Sequence, residues 1–247
     1  MSLAVTILGS SGMFQTIERS CAGYLLEIDG EHIWLDAGAG TWLNLQRSIA
    51  YADLDGVLLT HGHPDHTTDV LQAYHARLYG QADPLPPIPL WAPQETIDRL
   101  GAFSKGIDEA FDLKPIIAGD EVMVGGARLT FVAMAHPEQT LGVRLEYGPT
   151  VISFSSDTGE AADFESLAGG ADLFVCEATS QDSDAVWEGH LRASQAGRIA
   201  ARIGVKKLLL THLRPGRDHS VTLAEAKSAA DGVSVELVED GSRMELA

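Results

Sequence analysis

At 247 residues, with 45% apolar and 21% charged side chains, the chain is long enough to bury a full core without staples, and its two cysteines, Cys21 and Cys176, suggest no disulfide framework. Thirty-five acidic against 17 basic residues give a formal charge of −18, and no basic stripe offers the counterion release on which long nucleic acids depend, which argues against a large polyanion as the expected partner. No apolar run nears the roughly 18 residues of a membrane span, and MSLAVTILGSSG lacks the basic flank and cleavage site of a secretory signal, so a cytoplasmic protein with no membrane partner is expected.

Short β-type runs open the chain at residues 4–8, 24–28 and 32–35, the last two joined by the turn Asp29-Gly30-Glu31. Residues 41–47 read as a short helix, and 56–60 as a buried strand running into His61-Gly62-His63-Pro64-Asp65-His66. Asp65 or Thr67 is expected to cap a helix carrying Val70, Leu71, Tyr74 and Leu78 at helical spacing. The Pro-rich stretch 81–89 is a loop, followed by a strand at 90–92 and a helix at 94–103. Further strands are expected at 121–124, 128–134, 141–147, 150–155, 173–177 and 207–211, with helices near 161–167, 192–203 and 223–230. A strand pair at 233–237 and 243–246 closes the chain. No low-complexity linker divides it, so one domain over residues 1–247 is expected, with two facing sheets and helices outside.

The chemistry concentrates at 61–66, where His61, His63, Asp65 and His66 put four metal-ligand types into six residues at the end of an apolar strand. Imidazole suits zinc and related ions, and the carboxylate adds a harder oxygen ligand. Six residues cannot enclose two ions alone, but His136, Asp157 and His212 each follow an apolar β-run directly, where strand ends converge. Singly, Asp157 would be a turn or capping residue. With the cluster, the three complete a ligand set.

This order of motifs, an HxHxDH cluster followed by a strand-end His, a strand-end Asp and a further His, resembles the metallo-β-lactamase superfamily over nearly the whole chain. The resemblance implies an α/β four-layer αββα sandwich. It also implies two divalent metal ions, zinc with manganese as the other option: His61, His63 and His136 on one, Asp65, His66 and His212 on the second, and Asp157 bridging. Phe174-Val-Cys-Glu-Ala-Thr179 resembles the HEAT motif of the RNase Z and phosphodiesterase branch, with Cys176 in place of its His. Gly189-His190 followed by Arg192-Ala-Ser-Gln-Ala196 resembles that branch's catalytic-histidine segment. By that resemblance the catalytic residues are Asp65, His190 as the acid at the leaving group, and Glu177 as its orienting partner. Cys176 reads as a small buried residue rather than a nucleophile.

Two ions can acidify a water, and an acid must protonate the departing oxygen. The arm that holds transfer RNA in bacterial RNase Z has no room here, since Asp157 and Glu177 are 20 positions apart and Glu177 and His190 only 13. A small phosphodiester such as a cyclic nucleotide is therefore the expected substrate. The alternatives are an RNase Z-type transfer RNA 3′-processing endoribonuclease without the arm, a thioester or lactone hydrolase of the same superfamily, and, ranked last, a non-catalytic metal-binding module. A homodimer is a family-level expectation. Ser10-Ser11-Gly12 reads as a tight turn, and Arg214 and Arg217 face either phosphate or solvent. His32 in a β-hairpin, His75 on a helix and His219 in a polar loop have no ligand-type neighbours, and Trp34, Trp42, Trp91 and Trp187 are too scattered for a stacking platform. Trp187, near His190, reads as packing, with the substrate pocket as the other place it could line.

Overall fold

The computed structural model describes residues 2–247 and resolves into two compact units. The first comprises the chain up to Ser10, Phe14–Ile116 and Glu239–Ala247; the second comprises Ser11–Met13 and Ile117–Val238.

The first unit contains β1 (Leu3–Gly9), β2 (Gly23–Ile28), β3 (Glu31–Leu35), α1 (Thr41–Ser48), β4 (Gly56–Leu58), α2 (Pro64–Thr67), α3 (Val70–Tyr79), β5 (Ile88–Ala92), α4 (Gln94–Phe103) and β6 (Phe111–Pro115). Its seven-stranded sheet runs from the C-terminal strand Arg243–Glu245 through β1 to β6 in order. The C-terminal strand, β1, β2 and β3 pair antiparallel, and β3 to β6 pair parallel. Apolar residues spaced three and four apart on the helices, Val70, Ala73 and Tyr74 on α3 and Ile97 and Leu100 on α4, bury with Leu25, Trp34 and Val57 of the sheet. β6 was not expected: it is a short edge strand that closes on Pro115, and an edge tolerates a residue without an N–H.

The second unit contains β7 (Glu121–Val124), β8 (Ala127–Ala133), β9 (Leu141–Tyr147), β10 (Thr150–Phe154), α5 (Phe164–Ala168), β11 (Leu173–Glu177), α6 (Ala193–Arg202), β12 (Lys207–Thr211), α7 (His219–Ala229) and β13 (Ser234–Leu237). Its seven strands also lie in chain order, β7 to β13. β7 to β10 pair antiparallel, and β10 to β13 pair parallel. Phe174 and Cys176 of β11 and Leu208 and Leu210 of β12 alternate onto the face covered by Leu167, Ile199 and Ala226 of the three helices. Every residue of β11 is buried, as expected of a central parallel strand.

Each unit is thus a mixed sheet backed by helices, the αβ half of the expected sandwich. Three local expectations are corrected. The last two strands do not pair with each other, because β13 joins β12 while Arg243–Glu245 joins β1. Neither Asp65 nor Thr67 caps a helix, since Pro64 opens α2 after His63, and α3 starts separately after Asp69. The Asp69 carboxylate accepts instead from the N–H groups of Gly40 and Trp42 at 2.8 and 2.9 Å, satisfying the start of α1. His219 opens α7 rather than lying in a loop. Among the described residues no helix is long and apolar enough to cross a membrane.

Candidate metal centre

In the first unit β4 delivers the chain to His61, and α2 turns Asp65 and His66 back beside it. The His61 and His66 rings lie 4.2 Å apart. His61 Nε2 and His63 Nδ1 face each other at 3.1 Å. Two imidazole nitrogens on one tetrahedral ion, each about 2.0–2.1 Å from it, stand about 3.3–3.4 Å apart, so this approach fits a shared cation. The other nitrogens are committed to the protein. His61 Nδ1 meets Thr60 Oγ1 at 3.2 Å, and His66 Nδ1 donates to Asp36 Oδ2 at 2.8 Å. Asp36, 30 positions upstream, also accepts from Thr60 N–H at 2.9 Å and from the Thr60 hydroxyl. It is fully enclosed, and it fixes the tautomer and orientation of His66 as carboxylates behind metal-bound histidines do. Sequence reasoning missed it; the available signal was an acid directly after the buried strand β3.

In the second unit the ends of three parallel strands meet. Asp157 follows β10, Glu177 ends β11, His212 follows β12, and Glu177 stands opposite Thr211 in register. His212 Nε2 lies 3.3 Å from Asp157 Oδ1, again the spacing of two ligands on one ion. His190 joins them, with all three ligand-type atoms within 4.8 Å of one another and its ring stacked on His212 at 5.3 Å and 9°. His136, after β8, places its ring 5.1 Å from that of His190 and donates through Nδ1 to Gly189 O at 2.9 Å.

Glu177 is the hub. Its carboxylate accepts from Thr158 N–H (2.7 Å), Leu191 N–H (3.1 Å), His190 Nδ1 (2.9 Å) and the Thr179 hydroxyl (2.6 Å). The Thr179 hydroxyl in turn accepts from His212 Nδ1 at 2.7 Å, so one side chain ties a ligand-type histidine to the Glu177–His190 pair. Thr179 went unremarked in the sequence beyond its place in the motif. Burial pushes the Cys176 thiol well up, in keeping with a packing residue and no nucleophile. Gly12 N–H donates to Leu213 O at 3.1 Å, so that amide is engaged within the second unit. Arg217 pairs with Asp184, so its charge is engaged within the unit.

Three residues beside these donors take the left-handed backbone region without being glycine: Asp36 (φ 56), Ser156 (φ 53) and His212 (φ 53). Each costs roughly 1–2 kcal/mol, and such strain persists where the surroundings over-determine it, as at binding sites.

The model of the beta-lactamase superfamily domain matches residues 31–213. The chain belongs to the beta-lactamase superfamily. An uncharacterised protein of Mycobacterium leprae is 34% identical over 94% of this chain and 85% of its own length. The crystal structure of the metallo-beta-lactamase fold protein YhfI from Bacillus subtilis superposes with a TM-score of 0.91 over the whole of both chains, at 24% identity. A ribonuclease Z from Thermobifida fusca is 31% identical over 96% of this chain and 93% of its own. The donor chemistry of both units fits the divalent-metal use of this superfamily of metal-dependent hydrolases.

Proposed function

We propose that the protein is a dinuclear metal-dependent phosphodiesterase acting on a small phosphodiester such as a cyclic nucleotide. His61, His63 and His136 would hold one ion, Asp65, His66 and His212 the second, with Asp157 bridging; zinc suits this imidazole-rich set, and manganese is the other option. When bound, the ions supply Lewis acidity toward water and the phosphoryl oxygens.

The observation that carries the reading is the His190–Glu177 pair. With Nδ1 given to the fully buried Glu177, His190 presents Nε2 beside Asp157 and His212. A proton at Nε2 serves a departing alkoxide, and a positioned acid contributes roughly 10²–10⁴-fold. Thr158, Leu191 and Thr179 hold the carboxylate from three further directions, which fixes the imidazole without a search over rotamers. The alignment with the ribonuclease Z spans 302 positions against 247 residues here, so that enzyme carries segments with no counterpart in this chain. Together with the acidic balance, this favours a small substrate over transfer RNA.

The test is turnover by zinc- or manganese-loaded protein of 2′,3′- and 3′,5′-cyclic nucleotides, pre-transfer RNA and an acyl-homoserine lactone. Cyclic-nucleotide cleavage is expected, and His190→Ala should lower it roughly 10²–10⁴-fold with metal content retained. Cleavage of the lactone alone, or undiminished diester cleavage by the variant, removes the reading.

A further inference from the structure

Between β11 and α6 the chain forms a loop whose foot is anchored and whose crest is bare. Gln181 N–H donates to Asp184 Oδ2 at 2.9 Å, the Arg192 guanidinium donates to Asp184 O at 2.7 Å, and His190 N–H donates to Trp187 O at 3.1 Å. Gly159 allows the loop to descend, because a Cβ there would lie 1.8 Å from Glu188 O. A loop held this firmly could have turned its large apolar side chains inward, yet Val186 is 77% and Trp187 45% exposed. Trp34 and Trp42 are buried and Trp91 is half-buried, so Trp187 is the most exposed of the four tryptophans.

Both crest residues line a cavity of about 320 Å³ together with Ala161, Glu160 and Gln195, and His190 forms part of its wall. The Trp187 indole meets the His190 imidazole at 4.2 Å between ring centres and 61° between planes. Gln195 Nε2 donates to Glu160 Oε2 at 2.7 Å, an ordered amide–carboxylate pair at the rim. Trp187 thus packs on His190 and also lines this cavity.

We infer that this cavity is the subsite for the aromatic base of the nucleoside whose oxygen departs. The inference rests on the reading of His190 as the acid, since whatever His190 protonates lies against it and continues into the space it walls. An indole suits a planar ring, which every nucleobase offers. The Glu160 carboxylate supplies an acceptor for the exocyclic amino group of an adenine- or cytosine-type base. A volume of about 320 Å³ stands at the small end of ligand sites, which suits one nucleoside and not an oligonucleotide.

The experiment uses metal-loaded wild type, Trp187→Ala and Trp187→Phe, with 3′,5′-cyclic adenosine monophosphate, the corresponding base-free ribose cyclic phosphate, and calorimetric titration of adenosine. Trp187→Ala is expected to lower kcat/KM for the adenosine diester about tenfold or more, chiefly through KM, and clearly less for the base-free diester. Trp187→Phe should recover most of the loss, and adenosine binding should weaken in parallel. Equal losses on both diesters would overturn the subsite while leaving the phosphodiesterase reading standing. Absence of any diester turnover by wild type would overturn that reading instead, and adenosine then decides the subsite alone. Binding weakened in Trp187→Ala supports it; binding unchanged, or missing from wild type, removes it.

Discussion

The first unit draws four donors from six consecutive residues on one strand-turn-helix connection, whereas the second draws His136, Asp157, His190 and His212 from three strand ends and a loop over 77 positions. Both sheets are half antiparallel and half parallel, and both place donors at strand ends. Each unit also buries one carboxylate behind an imidazole, Asp36 behind His66 and Glu177 behind His190. The difference lies in what the supported imidazole is for. Asp36 serves a ligand-type histidine directly, while Glu177 serves the proposed acid and reaches a ligand-type histidine only through Thr179. On the proposed reading, a shared architecture serves two tasks.

The sharpest way to break that comparison is to neutralise each carboxylate in place. Glu177→Gln should cut kcat by roughly 10²-fold or more while bound metal is retained, because it misorients the acid. Asp36→Asn should weaken metal affinity roughly 10–100-fold, with turnover recovering as metal is added. Mass spectrometry of bound metal alongside kinetics reads both, and the opposite pattern would show that the tasks were assigned to the wrong unit. Thr179→Val provides an intermediate: it should show both defects, each smaller, since the hydroxyl touches both histidines.

Two glycines extend the contrast at lower energy. A Cβ at Gly12 would stand 2.7 Å from the His212 ring and 3.0 Å from its carbonyl oxygen. Gly12→Ala should therefore destabilise by about 1–3 kcal/mol in denaturant melts, as overpacking does. A Cβ at Gly62, between His61 and His63, would meet the Arg99 guanidinium tip at 3.1 Å, and that tip can move. Gly62→Ala should cost under about 1 kcal/mol. Equal costs would mean that the local cluster is as tightly enclosed as the dispersed one.

The smallest effect concerns the cysteines, one in each unit. Burial, reinforced by Asp65, pushes the Cys21 thiol up to about 12, and burial raises Cys176 as well. A raised pKa keeps each thiol protonated below it, so iodoacetamide at pH 8, which reacts with thiolate, should label neither in the folded protein and both after denaturation. Labelling of native Cys21 at the denatured rate would show that its pocket opens.

His61 to His66 could be read from the chain alone because spacing within one connection is set by covalent geometry: a strand that turns into a helix within six residues must keep its side chains together. Most strand and helix positions were likewise set by local periodicity, as at Leu141–Tyr147 and Leu173–Glu177, where expected and observed bounds coincide. His136, Asp157 and His212 could be nominated from their places after apolar runs. Their company could not, because the parallel pairing of β10, β11 and β12 brings residues 157, 177 and 212 to one edge, and strand order is a property of hydrogen bonding between distant segments. Asp36, Thr179 and the exposed Trp187 belong to that second kind of knowledge. Their roles arise from which side chains stand within about 3–4 Å in space, and no separation along the chain encodes that.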